Sequence, residues 1–149
     1  MDDSLPFVDA ATLEKALPPA AALQVLREGF AAAPRHLLRS HSTFGSAEFL
    51  AMPAVTPTAA GIKLITVQPN NVGTDRPIIQ GLYALFSEDD GRPVALFEGA
   101  ALTNLRTPLI SALATHELAR PNVGTVGVVG SGPQAESHVH AMRLVRPSL

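Results

Sequence analysis

The sequence predicts a mixed α/β chain, an α+β domain built on a mostly antiparallel sheet and followed by the first βα unit of a parallel domain. Three observations carry this. Short strand-like segments follow one another between residues 40 and 97 with no helical stretch between them. Helical periodicity flanks them at residues 9–33 and 102–120. Near the C-terminus the apolar run Val123–Val129 breaks into a Gly130-Ser131-Gly132 turn and a further helical stretch.

The elements follow in order. Asp9 is a capping residue type, Pro18-Pro19 breaks the pattern, and Leu23, Leu26 and Phe30 recur on one helix face, so two short helices are expected before residue 33. After Pro34, Ser40–Phe44 and Glu48–Met52 read as paired strands around a Gly45-Ser46 turn, with Met52-Pro53-Ala54 closing the pair. Gly61–Val67 alternates, placing Ile62 and Leu64 on one face and Lys63, Ile65 and Val67 on the other. A lysine among apolar residues must either snorkel outward from an edge strand or meet an anion. A polar loop over Gln68–Pro77 precedes a hairpin of Gly81–Phe86 and Pro93–Phe97, turned by Asp89-Asp90-Gly91.

Leu102–Arg120 is helical again, with Leu105, Leu109, Ala112, Leu113 and His116 on overlapping turns and Pro121 ending it. Pro108 leaves two starts open. Thr103 caps a kinked helix, or Thr107 caps one that has Pro108 at its first position; both place Arg106 near the N-terminal end. Val123–Val129 is then the first parallel strand and Pro133–Val145 its following helix. The expected domains are residues 1–101, a bridging helix over 102–121, and the start of a second domain over 122–149.

Composition narrows the function classes. The chain has 149 residues, 46% hydrophobic and 16% charged, with a net charge of -2, so it is globular and carries no basic excess for nucleic acid. Without cysteine it makes no disulfide or thiolate metal site. The start Met1-Asp2-Asp3-Ser4-Leu5-Pro6 is acidic and unlike a signal peptide, and no run approaches the roughly 18 apolar residues of a membrane span. A cytoplasmic protein acting on small molecules is expected.

The turn Gly130-Ser131-Gly132-Pro133-Gln134-Ala135 has the G-x-G-x-x-A form of a dinucleotide-binding Rossmann unit. Gly130 permits the tight turn, Gly132 the approach of a pyrophosphate, and Ala135 close helix packing. Another adenosine cofactor, such as S-adenosylmethionine, fits the same geometry. The acidic residue that reads the ribose falls about 20 residues beyond the turn, past Leu149, so NAD and NADP are not separated. Arg39, Lys63 and Arg106 are candidate anion ligands, although single surface cations are more often solvated or salt-bridged. His36, His41, His116, His138 and His140 are the histidines; His138 and His140 point to different helix faces, which argues against a metal pair and for exposed side chains. Ser131 has no evident triad partner.

Taken together, Arg39-Ser40-His41, Met52-Pro53-Ala54, Gly61-Ile62-Lys63, Pro69-Asn70, Leu102-Thr103 with Arg106-Thr107, and Gly130–Ala135 resemble the ornithine cyclodeaminase and mu-crystallin family, in its order and spacing. The resemblance implies a substrate and dimerisation domain plus a Rossmann domain that binds NAD or NADP, in a homodimer. It implies that Arg39, Lys63 and Arg106 hold the substrate carboxylate, with Lys63 also catalytic. Thr107, Gly130, Ser131, Gly132, Pro133, Gln134 and Ala135 would contact the cofactor. Ornithine conversion to proline and ammonia is the leading implied reaction. Alanine dehydrogenase, ketimine reductase and a non-catalytic mu-crystallin-like binding protein are the alternatives. Cyclodeaminases of the family can carry a glutamate where this chain has Leu50, and Glu48 could share that face. Relatives are roughly twice as long, so the chain is expected to be the front part of an enzyme and inactive alone.

Overall fold

The computed structural model describes residues 4–32 and 37–149. The acidic start, Pro34 and His36 lie outside the described residues. The chain divides into a sheet unit, residues 1–12 and 34–101, and a helical unit, residues 13–33 and 102–149. Residues 13–33 therefore group with the C-terminal helices, whereas the sequence places them with the sheet.

The sheet unit has six strands in the order β1-β6-β5-β4-β3-β2. These are β1 (Phe7–Val8), β2 (Ser40–Phe44), β3 (Ala47–Thr56), β4 (Ala59–Val67), β5 (Ile79–Ser87) and β6 (Pro93–Glu98). All pairs are antiparallel except β1 with β6. β2 has its expected bounds, set by Gly45 at φ 57 in the turn that follows. β3 does not close at Met52-Pro53-Ala54. It runs on to Thr56, with Pro53 opposite Ile62. Proline is tolerated there because β2 pairs only as far as Ala51, so β3 has an open side beyond it. Gly91 at φ 71 turns β5 into β6. A 3-10 turn, Pro69–Asn71, fills part of the polar loop.

β4 lies between β3 and β5, so the edge-strand reading of Lys63 does not hold. Register puts Lys63 opposite Met52 on one side and Tyr83 on the other.

The helices are α1 (Ala10–Ala16), α2 (Pro19–Ala31), α3 (Gly99–Leu118) and α4 (Pro133–Val145). Asp9 caps α1, its carboxylate accepting from the Thr12 backbone N–H at 2.8 Å. Hydrogen bonding with Thr12 holds the Asp9 carboxyl below its ordinary value of 3.8. A depressed folded-state value means the cap contributes fully above the ordinary carboxylate range and fades as pH falls through the lowered one. A carboxyl NMR titration is expected to place the Asp9 midpoint below 3.8; a midpoint at or above that value removes the cap.

α3 starts at Gly99, directly from β6, and contains Pro108. Neither Thr103 nor Thr107 caps it, and Arg106 sits about two turns inside rather than near the N-terminal end. Pro108 forgoes its bond to the Asn104 carbonyl, yet the helix continues because the following turns are buried. Leu109 (2% exposed) and Ala112 (0%) join Ala22 and Ala141 in the core of the helical unit, packed by Leu17, Leu23, Leu26 and Leu105. Phe30, expected on the same stripe, is 56% exposed at the last turn of α2.

Val123–Val129 is the largest departure from expectation. It forms no strand, and no described segment pairs with it. A parallel strand is held by ladder bonds to neighbours, so the apolar sequence alone does not make one. Val129 is fully exposed.

Candidate functional site

Strand alternation and register together decide which side chains share a sheet face. Lys63, Met52, Tyr83 and Phe97 form one cross-strand row over β3, β4, β5 and β6. Lys63 and Met52 thus share one face of the sheet, and Arg39 lies one residue outside β2, where an extension of the register leads toward Met52. Lys63 is half-buried and Arg39 exposed.

The next row along carries His41, Leu50 and Ile65. Glu48 lies one alternation further on the same face and pairs with His41, Oε2 to Nε2, at 3.3 Å. Leu50 thus occupies the place nearest Met52, while the only nearby acid on β3 is engaged by an imidazole.

Tyr83 stands edge-on to Phe97, with ring centroids 6.1 Å apart at 68°. Burial pushes its phenol above the ordinary tyrosine range, so the hydroxyl stays a hydrogen-bond donor at any physiological pH. Nothing in the sequence pattern singled out Tyr83.

The helical unit holds the other candidates. Gly130 has φ 123, a conformation that only glycine adopts readily, and Gly132 is the N-cap of α4 with Pro133 following it. No side chain caps α4, which leaves first-turn N–H groups to water or an anion. The segment before the turn and the first turns of α4 border a cavity of about 470 Å³ lined by Val126, Val128, Gly130, Gln134, His138 and Met142. Ser131 is exposed in the turn.

Two polar contacts tie α3 to α4. Gln134 Nε2 donates to Asn104 Oδ1 at 2.6 Å, and Ser111 Oγ meets His138 Nε2 at 3.0 Å. Thr107 lies between Asn104 and Ser111 on α3, three and four residues from each, and so faces the same seam. Its Oγ1 is buried with no hydrogen-bond partner, as is Gln134 Oε1. Thr107 and Gln134, both expected to contact a cofactor, are thus brought to the same seam beside the glycine turn. Arg106 belongs to this helical unit and is half-buried.

His138 is not the exposed helix histidine that its spacing suggested. It is half-buried, and its Nδ1 lies 2.6 Å from the Gln134 carbonyl oxygen. A carbonyl only accepts, so Nδ1 donates to Gln134, while Nε2 lies within hydrogen-bond distance of the Ser111 hydroxyl, which also donates to the Thr107 carbonyl at 3.4 Å. His140 is exposed. Among the described residues no group of three or more His, Cys, Asp or Glu side chains is placed to hold a metal ion, and no helix is long and apolar enough to cross a membrane.

Arg146 also escaped sequence reasoning. It is 7% exposed, and its Nη2 reaches the carbonyls of Thr115, His116 and Ala119 at 3.0–3.2 Å while Nη1 donates to Val145. A guanidinium thereby satisfies the carbonyls at the C-terminal end of α3, where the helix dipole is negative.

Comparison with known proteins gives consistent findings. The profile of the ornithine cyclodeaminase/mu-crystallin family matches residues 9–148. A Delta(1)-pyrroline-2-carboxylate reductase of Bacillus cereus is 39% identical over 99 residues, covering 65% of this chain and 30% of the relative. An ornithine cyclodeaminase of Agrobacterium tumefaciens is 36% identical over 106 residues, covering 71% of this chain and 29% of the relative. Among solved structures, an archaeal alanine dehydrogenase dimer with bound NAD superposes with a TM-score of 0.88 at 26% identity, covering 96% of this chain and 46% of that one. The Thermococcus litoralis Delta(1)-pyrroline-2-carboxylate reductase, in complex with NADH and L-proline, gives a TM-score of 0.88 at 25% identity, with 95% and 46% covered. The chain thus spans less than a third of these sequence relatives and just under half of the solved structures.

Proposed function

Since the chain belongs to the ornithine cyclodeaminase/mu-crystallin family, we propose that it supplies the carboxylate-binding face and the nucleotide turn of an NAD(P)-dependent enzyme acting at Cα of a small amino or imino acid. The observation that carries this reading is Lys63 on an inner-strand row with Met52, toward which the register of β2 leads when extended to Arg39. Two cations so placed suit a carboxylate, one by a bidentate fork and the other as a point charge. The family resemblance implies Arg106 as a further carboxylate ligand.

The cofactor fits the residues of the helical unit. Gly130 and Gly132 leave the backbone open, with nothing within 4 Å of where a Cβ would stand. The uncapped N-terminus of α4 suits a pyrophosphate, and Thr107 and Gln134 each offer a buried oxygen that lacks a partner. Bound there, the nicotinamide supplies or accepts the hydride. The protein's share is to clamp the carboxylate, so that Cα is oriented for transfer rather than free to tumble.

Within this class, a cyclic imino acid is the favoured substrate. Leu50 replaces an acid near the carboxylate row, and Glu48 is held by His41, so a free side-chain amine finds no ready counter-charge. With a nicotinamide bound, C2 of such an imine would receive hydride and its nitrogen a proton to give the cyclic amino acid, while Lys63 and Arg39 would hold its carboxylate. The ornithine reading keeps one supporting feature, that Glu48 shares the face of Leu50 and could swing from His41 to an amine.

Calorimetric titration of the chain with L-proline and with NADH tests the proposal. Lys63→Met is expected to weaken L-proline by about 10- to 100-fold, the value of a charge-assisted hydrogen bond, and to leave NADH unchanged. Arg106→Ala is expected to behave the same way. Equal loss of both ligands makes these residues structural or phosphate-binding and overturns the assignment.

A further inference from the structure

Gly61 is the starting point. It sits inside central strand β4, where glycine weakens a strand by offering no side chain to pack. Its backbone does not require glycine, since φ is positive only at Gly45, Gly73, Gly91 and Gly130 among the described residues. What requires it is a neighbour. A Cβ at Gly61 would coincide with the Tyr83 hydroxyl and its ring carbon. The phenolic oxygen and the ring carbon that bears it both occupy that space, so Gly61 seats the hydroxyl end of the ring.

Gly61 is one alternation along β4 from Lys63, and Tyr83 is the direct cross-strand partner of Lys63. The phenol therefore lies on the face that carries Lys63. The row beneath it consists of Ala54, Gly61, Leu85 and Ala95, which offer no side-chain acceptor. Phe97 packs edge-on against the ring and fixes its plane. A held donor thus stands beside a cation.

We infer that Tyr83 is a substrate-binding residue, its O–H donating a hydrogen bond to the same carboxylate that Lys63 neutralises. The inference deepens the function proposed above and rests on it. Gly61 then has a defined part, as the notch that seats the phenol. The raised phenol acidity constant keeps the donor protonated.

Tyr83 is the one tyrosine of the chain, and there is no tryptophan, so its emission reports on this face alone. L-proline added to the full 149-residue chain is expected to change that emission saturably, with the same midpoint as the heat of binding. Tyr83→Phe keeps the ring, its contact with Phe97 and the space at Gly61. It is expected to bind L-proline about tenfold more weakly while its thermal midpoint and NADH affinity stay unchanged. Binding equal to wild type in Tyr83→Phe, or binding that leaves the emission untouched, overturns the inference while Lys63→Met still tests the carboxylate site. Absence of any L-proline binding by the wild-type chain overturns the functional proposal, and the role of Tyr83 falls with it.

Discussion

Arg146→Met lowers the stability of the chain by about 3 kcal/mol, the expected effect of taking a buried charged donor from its carbonyls. Methionine preserves most of the aliphatic stem, so lost packing is a small part of this. What goes is a guanidinium that meets Thr115, His116 and Ala119 at the end of α3 and Val145 at the end of α4. The last carbonyls of a helix lack some of their partners within it, and the buried guanidinium of Arg146 supplies donors to three at this end. Arg146→Lys should recover only part of the loss, because an ammonium cannot reproduce the planar fork. Thermal unfolding followed by circular dichroism is expected to show a fall of about 6–12 °C for Met, given about 2–4 °C per kcal/mol at this size. A change under 2 °C would sink the idea that Arg146 caps α3.

Gly99→Val is expected to be at least as severe. Gly99 begins α3 immediately after β6, and a Cβ there would overlap the carbonyl carbon and oxygen of Gly81 and the nitrogen of Leu82. Gly81 is itself pressed against the Leu64 carbonyl oxygen. Because the three atoms nearest a Cβ at Gly99 are all main chain, no rotamer change relieves the overlap, and either β5 or the start of α3 must move. Overpacking of side chains costs about 1–3 kcal/mol, and a backbone obstacle belongs at or above the top of that range. The contrasting variant is Gly29→Ala in α2, where nothing lies within 4 Å. It should stabilise by about 0.5–1 kcal/mol through helix propensity. Urea titrations of both variants check the signs, and equal behaviour would refute the argument from close approach.

Local chemistry made much of the architecture legible. Gly45 and Gly91 announced their turns, Pro133 the start of α4, and alternation in β4 put Lys63 and Ile65 on one face. The failures share a cause, since each depended on partners distant in sequence. Pro108 looked like a boundary because the burial that carries α3 through it is tertiary. Val123–Val129 had the composition of a strand but no pairing segment among the described residues. Arg146 drew no reading and His138 read as an exposed helix histidine until α3 supplied carbonyl acceptors and a hydroxyl. The site divides in the same way. Arg39, Lys63 and the glycine turn stood out as motifs, whereas Tyr83 became visible only when register set it across from Lys63 and beside Gly61.

The place of β1 bears on how the molecule is made. Phe7 and Val8 lie alongside Leu96 and Phe97, Leu96 N–H donates to the Pro6 carbonyl, and Ala10 N–H reaches the Glu98 carboxylate. The contact of Ala10 with Glu98 spans 88 residues, so as the ribosome delivers the chain vectorially β1 must wait uncommitted until β6 has emerged. During that interval it is the segment most open to a chaperone. Once β1 docks, it covers the outer rim of β6 that would otherwise recruit a stray strand, so the strand that precedes the others in the chain completes the sheet last.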